Sequence, residues 1–147
     1  MGNICRSPTA EAVLRRLAAD SAAELSIEVD SAGTHDYHVG CAPDPRSQTA
    51  ARRRGFDLSG LRARHLKPED FERFDYVLVM DEQNLADARA IAPRVCRATL
   101  ALALDYAPEQ ERRDVPDPYY GGASGFEAVL DLSEAAARGL IAALRGP

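Results

Sequence analysis

Apolar positions change their spacing several times along this chain, and each change marks an element. Ala10, Val13, Leu14 and Leu17 recur at helical spacing and predict a helix over about 8 to 21. Ser7 is expected to cap it and Pro8 to take its first position, where the missing N–H costs nothing. Residues 25–30 alternate apolar and polar, as a half-buried strand does. Residues 31–45 hold two Gly, two Pro, two His and two Asp and read as a surface loop. A helix is expected over 46–54, stopped by Gly55, and another short one begins at Lys67-Pro68-Glu69-Asp70, with its acids in the first turn. Residues 76–80 form a nearly continuous apolar run, the signature of a strand buried on both faces of a parallel sheet. Helix follows over 85–91. Residues 95–104 are expected to hold a further strand, although their Ala and Leu content leaves helix as a competing reading. Residues 108–125 read as a polar loop. Phe126, Leu130, Ala137, Leu140, Ile141 and Leu144 then make one apolar stripe, predicting a helix over 125–145.

Helix alternating with strand predicts an α/β fold, a single domain over 1–147 with helices on both faces of a parallel sheet. Three strands are few for such a sheet. A helix opening at Ser7 should also follow a strand, and no residue stands ahead of Met1. The expected first strand is therefore absent from this chain, which reads as N-terminally truncated.

Composition excludes more than it selects. With 46% hydrophobic residues the 147-residue chain can bury a sizeable core. No apolar run approaches a membrane span, and the polar opening with Arg6 is not a signal peptide. A net charge of −5 argues against nucleic acid as a partner. Cys5, Cys41 and Cys96 are too few and too scattered for a disulfide framework or zinc site, and point to a reducing, cytoplasmic setting. His35 and His38 stand three apart but lack a helix and a third ligand, so no metal is expected. Arg52, Arg53 and Arg54, with Arg62 and Arg64 beyond, read as a solvated face.

The chemistry concentrates at the start. Gly2, Asn3 and Ile4 look like the end of a backbone loop that wraps an anion. Arg6 looks like its clamp, and Ser7-Pro8 like the start of a helix whose amides point at it. The whole run Gly2-Asn3-Ile4-Cys5-Arg6-Ser7-Pro8-Thr9-Ala10-Glu11 closely resembles the phosphate loop of the low-molecular-weight protein tyrosine phosphatases, bacterial type. Three more segments resemble that family in the same order: residues 30–34 (Asp-Ser-Ala-Gly-Thr), residues 74–85, and Val115-Pro116-Asp117-Pro118-Tyr119-Tyr120-Gly121.

The resemblance implies a three-layer sandwich on a four-stranded parallel sheet in the flavodoxin-like order 2-1-3-4. It also implies hydrolysis of phosphotyrosine and aryl phosphates through a phosphocysteine, with no metal or cofactor. Arg6 and Asp117 are the implied catalytic residues, clamp and general acid. Gly2, Asn3, Ile4, Cys5, Arg6 and Ser7 would bind phosphate or sulfate, with Asn3 holding the loop and Ser7 bonding the thiolate. Tyr37, Tyr119 and Tyr120 would wall the substrate cleft, with surface placement the competing reading for Tyr37. Asp81 is divided between a supporting hydrogen bond and helix capping. The implied partner is a phosphotyrosine protein, not nucleic acid or a membrane.

The family signature is Cys, five residues, then Arg. Counted back from Arg6, the Cys falls one residue before Met1. No other cysteine serves, since the same count leads from Cys5 to Glu11, from Cys41 to Ser47 and from Cys96 to Leu102. The expectation is an internal Met taken as the start; the in-frame upstream codons should encode a short apolar strand ending in Cys. The literal chain is then expected to be inactive and to fold poorly alone, or to oligomerise, because the family's first strand is paired on both sides. Two other readings stay open. One is an arsenate reductase of the same fold, which needs a relay of further cysteines. The other is a non-catalytic phosphate- or phosphotyrosine-binding remnant.

Overall fold

Aspartate side chains cap two of the five α-helices in the computed structural model, which describes residues 2–119 and 122–146. Helix α1 spans Arg6–Ser21. It starts before Ser7, so Ser7 lies in the first turn and caps nothing; Cys5 is the N-cap and makes no side-chain cap bond. Helix α2 (Pro45–Arg53) opens on Asp44, whose carboxylate accepts from the Arg46 N–H at 2.8 Å, with Pro45 at its first position. Gly55, at φ 86°, supplies the left-handed turn that ends it. The short α3 (Asp70–Arg73) leads into strand β1 (Tyr76–Val79). Helix α4 (Glu82–Ile91) is capped by Asp81, and strand β2 is Thr99–Leu102. Strand therefore prevails over helix in the ambiguous stretch. Helix α5 (Ala123–Arg145) closes the chain.

Strands β1 and β2 run parallel, with Val77 opposite Leu100 and Val79 opposite Leu102. Their side chains alternate between two cores, as a period of two requires. Val77, Val79, Leu100 and Leu102 pack with Phe71, Leu85 and Ala88 of α3 and α4. Leu78 and Met80 pack with Val129 and Leu132 of α5. Helices α1, α2 and α5 share a third core around Val13, Ala51, Phe126 and Leu130. The sheet is covered on both faces, and the α/β class stands. Among the described residues no helix is long and apolar enough to cross a membrane.

The strand expected over 25–30 is a correction. Leu25 ends a 3-10 turn (Ala23–Leu25), Ser26 is left-handed at φ 52°, and residues 27–32 make no backbone–backbone hydrogen bond among the described residues. The alternation itself survives: Leu25, Ile27 and Val29 are half-buried while Ser26, Glu28 and Asp30 are exposed. A strand exists only through a neighbour, and this segment faces a cleft instead of one. The described sheet therefore has two strands, plus an isolated parallel bridge between Gly33 and His65.

Arg54 is a second correction. It is no solvated charge, because it pairs with Glu127, Asp131 and Glu134 of α5 at 2.8–3.1 Å. Gly139 is also fixed by packing: a Cβ there would run into the Tyr106 carbonyl. A Gly-to-Ala change inside a helix normally stabilises by roughly 0.5–1 kcal/mol. Gly139→Ala is instead expected to destabilise by about 1–3 kcal/mol, through forced backbone movement. A urea melt checks this, and a variant more stable than its parent would contradict it.

Candidate active site

Residues 2–5 bend the chain into α1; Gly2, Asn3 and Ile4 lie against or bond residues far away in sequence, and Cys5 bonds Thr9 one helical turn on. Asn3 is buried and left-handed at φ 63°, a conformation Asn tolerates better than most residues. Its Nδ2 donates to Ser31 Oγ at 3.0 Å, and its Oδ1 accepts from the Arg64 backbone N–H at 3.1 Å. Ser31 Oγ donates in turn to the buried Glu11 at 2.6 Å, and Arg15 pairs with the other Glu11 oxygen at 2.5 Å. The Ile4 carbonyl accepts from Asp44 N–H at 2.8 Å, and the Cys5 carbonyl accepts from the Thr9 hydroxyl at 2.7 Å. Gly2 lies against the His38 ring, where any Cβ would collide. The loop's carbonyls and side chains are thus turned to the protein. Its donors are not: the backbone N–H groups of residues 3–7 bond no described residue. Together with the helix N-terminus they are a run of uncommitted donors whose chemistry suits an anion.

Arg6 belongs to that run and is 4% exposed. Its Nη1 donates to Asp81 Oδ2 at 2.6 Å and to the Val115 carbonyl at 2.8 Å. Its Nη2 stands 4.0 Å from Asp117 Oδ2, and neither Nη2 nor Nε donates a hydrogen bond among the described residues. A buried guanidinium anchored by one nitrogen and open at the other two presents the fork that suits two anion oxygens. Asp81 does both things considered for it, since its other oxygen accepts from Asn84 N–H at 2.7 Å and caps α4. Burial raises the Asp81 carboxyl, but Arg6 and the Asn84 amide outweigh it and hold the group below the usual carboxylate range. Its stabilising contribution is complete above the ordinary carboxylate value and is lost as pH falls through the lowered one.

Cys5 is buried, and burial pushes its thiol up to about 11. A thiol raised so far is mostly protonated at neutral pH, which disfavours it as a nucleophile. Iodoacetamide at pH 7.5 is expected to alkylate exposed Cys41 first and Cys5 only after unfolding. Mass mapping of the labelled sites checks this, and early labelling of Cys5 would contradict it.

Asp117 is exposed, and its Oδ1 accepts from the Tyr119 N–H at 3.0 Å while its Oδ2 stands 4.0 Å from Arg6 Nη2. Tyr119 is half-buried, 6.3 Å from the His38 ring, which lies 6.4 Å from Tyr37. Tyr37 is 70% exposed and stacks on His35 at 5.0 Å. These rings form one aromatic cluster beside Gly2 and Asp117. Tyr120 lies outside the described residues. The structure therefore brings together Arg6, Asp117, the loop, Tyr119 and, at its rim, Tyr37. The Ser7 hydroxyl bonds no described residue.

Several supports had no local signal. Ser31, Glu11 and Arg64 reach Asn3 only through the fold. Arg46 donates to the Tyr119 carbonyl at 2.9 Å and lies over its ring, while pairing with Asp44 at 2.8 Å. The Asp-Pro-Arg run of residues 44–46 did carry a readable helix-start signal. Among the described residues no group of three His, Cys, Asp or Glu could hold a metal ion.

Comparison decides the family. The sequence profile of low molecular weight phosphotyrosine protein phosphatases matches residues 1–146. The chain belongs to that family. Its members are hydrolases, protein tyrosine phosphatases. Low molecular weight protein-tyrosine-phosphatase YfkJ of Bacillus subtilis is 39% identical over 145 residues, covering 99% of this chain and 92% of that protein. The Homo sapiens low molecular weight phosphotyrosine protein phosphatase is 45% identical over 131 residues, 88% of this chain and 82% of that protein. Among solved structures, the YfkJ crystal structure superposes with a TM-score of 0.90 at 38% identity, covering 99% of this chain and 90% of that one. The Escherichia coli K30 tyrosine phosphatase Wzb in complex with sulphate gives 0.81 at 30% identity, covering 96% and 91%.

Proposed function

We propose that this chain forms the body of a protein tyrosine phosphatase that hydrolyses phosphotyrosine and aryl phosphates through a phosphocysteine. The observation that carries the reading is Arg6, buried, anchored through Nη1 by Asp81 and the Val115 carbonyl, with Nε and Nη2 uncommitted among the described residues, next in sequence to a loop whose amides are equally uncommitted. In this reading the nucleophilic Cys stands one residue ahead of Met1, on a first strand that completes a four-stranded sheet in the order 2-1-3-4. The 147 residues alone bind phosphate or sulfate but do not turn over.

The chemistry proceeds in two displacements. A thiolate stabilised by the loop amides, the helix N-terminus and the Ser7 hydroxyl attacks phosphorus. The P–O bond to the tyrosyl oxygen breaks, and Asp117 gives that oxygen its proton. Water then attacks the phosphocysteine, passing its proton to the Asp117 carboxylate, and the P–S bond breaks to return thiolate and phosphate. Arg6 grips two equatorial oxygens through both displacements. Tyr37, Tyr119 and Tyr120 flank the phenyl ring. Three free cysteines fit a reducing, cytoplasmic compartment.

The test is a form extended by an apolar strand ending in Cys directly before Met1. It is expected to release phosphate from a phosphotyrosine peptide and far less from a phosphoserine peptide. Arsenate reduction with a thiol reductant in place of that release would favour the reductase. Phosphate binding without any release would leave only a binding remnant and sink the proposal.

A further inference from the structure

The loop that carries Tyr37 is pinned at both ends and little held between them. At its start Gly33 donates to the Arg64 carbonyl and accepts from the Leu66 N–H, each at 2.8 Å, and His65 Nε2 lies 3.2 Å from the Thr34 carbonyl. At its end Gly40 donates to the Ala63 carbonyl and the Cys41 carbonyl accepts from the Ala63 N–H, again at 2.8 Å. Between these anchors the described backbone bonds are turns within the loop itself, Val39 to Asp36 at 3.3 Å and Cys41 to His38 at 2.8 Å. Side chains therefore place the exposed Tyr37. Its ring lies 5.0 Å from the His35 ring at an interplanar angle of 19°, a stacked pair, and meets His38 edge-on at 6.4 Å. His35 in turn reaches α4, with Nε2 3.6 Å from Asp87 Oδ2. That oxygen is buried and accepts no hydrogen bond among the described residues, while Oδ1 of the same carboxylate accepts from Gln83 Nε2 at 3.0 Å. A buried acceptor without a partner is costly, and an imidazolium at this distance supplies one.

We propose that His35 is a positioning residue for the aryl group of the substrate: in its charged form it pairs with Asp87 and holds Tyr37 in place, so that the site prefers aryl-bearing phosphoryl ligands most strongly when His35 carries its second proton. The proposal rests on the placement of the substrate phenyl ring beside Tyr37 given under the proposed function. Two attractions belong to the charged form alone, the ion pair with Asp87 and the pull of a cation on the face of the Tyr37 ring. The neutral imidazole keeps the stack and loses both. Histidine is the side chain whose charge ordinarily changes between pH 5 and 8, so the hold on Tyr37 weakens as pH rises through that range. The titratable neighbours of His35 are Asp87 from α4, the exposed Asp36, Tyr37 and His38 on its own loop, and His65 on the segment that anchors Thr34. Asp87 is the acid paired with it. Among the described residues neither His35 nor Asp87 bonds the anion loop or Arg6. Their effect should therefore reach the ring of a ligand and spare its phosphoryl group.

The experiment titrates benzylphosphonate and inorganic phosphate into the form extended to carry Cys ahead of Met1, and reads the ratio of the two dissociation constants. Asp87→Asn keeps an oxygen for the Gln83 bond and removes the ion pair. It is expected to lower the preference for benzylphosphonate by about 3-fold at pH 5.5, the size of a partly exposed ion pair, and to leave it unchanged at pH 8. His35→Gln removes charge and ring together. It is expected to lower the preference by about 5-fold at pH 5.5 and by less at pH 8. Equal weakening of both ligands would make His35 a support of the loop alone and overturn the proposal. A loss from Asp87→Asn that is the same at both pH values, or no loss at pH 5.5, would overturn it as well. Binding needs no turnover. The expected preferences without phosphate release from phenyl phosphate would support the positioning role while sinking the phosphatase reading.

Discussion

In the form extended to carry Cys ahead of Met1, Arg6→Lys is expected to lower kcat by about 10²–10³-fold, or ~2.7–4 kcal/mol, the size of losing a preorganised transition-state donor. The substitution keeps the positive charge, so what it removes is geometry. A guanidinium can donate from Nη1 to Asp81 and Val115 and still offer Nε and Nη2 in one plane. An ammonium is a single point that cannot hold the anchor and grip two phosphate oxygens together. Charge retention also leaves the half-buried Asp81 a cation beside its bond from the Asn84 amide. The variant should therefore melt close to its parent. Steady-state kinetics and a thermal melt check both halves. A folded Lys variant within threefold of the parent rate would contradict the role given to Arg6.

The second large effect belongs to Asp117 and depends on the leaving group. In the same extended form Asp117→Asn is expected to slow phenyl phosphate hydrolysis by about 10²–10⁴-fold, the range of general acid catalysis. The loss should be much smaller in the first displacement from p-nitrophenyl phosphate, whose phenolate leaves without a proton. Asn keeps the shape that accepts the Tyr119 N–H at 3.0 Å, so the loop should hold. Pre-steady-state release from the two substrates measures this. An equal loss on both would mean that Asp117 positions the loop and does not deliver the proton.

The parts of this site that were legible in the sequence are those carried by short, dense motifs. Residues 2–11 and 115–121 could be matched because their chemistry depends on local order, namely a bend, an arginine, a helix start and an Asp before Pro. The long apolar stripe of α5 was legible because one helix face repeats it. What stayed hidden was made by distance. Asn3 is held by Ser31 and Arg64, which are 28 and 61 residues away, and neither position announces the contact. Arg54 reads as a surface charge until α5 brings three carboxylates to it. Residues 25–30 failed differently. Their alternation persists in their burial, but a strand needs a partner, and pattern alone cannot supply one. The cap differs for a smaller reason: Cys5 turns the chain into α1 before Ser7 is reached, so the usual signal of a hydroxyl before Pro falls inside the helix.

The central claim is that Arg6 and its loop hold the phosphoryl group of a tyrosine phosphatase whose nucleophile falls one residue before Met1. Rapid-mixing measurement of p-nitrophenolate release, followed by mass mapping of the acid-quenched protein, tests it most directly. The extended form should give a burst approaching one equivalent, with phosphate on the added Cys, and the 147-residue chain should give none. A burst from the 147-residue chain, or phosphate mapped to Cys5, would contradict the account.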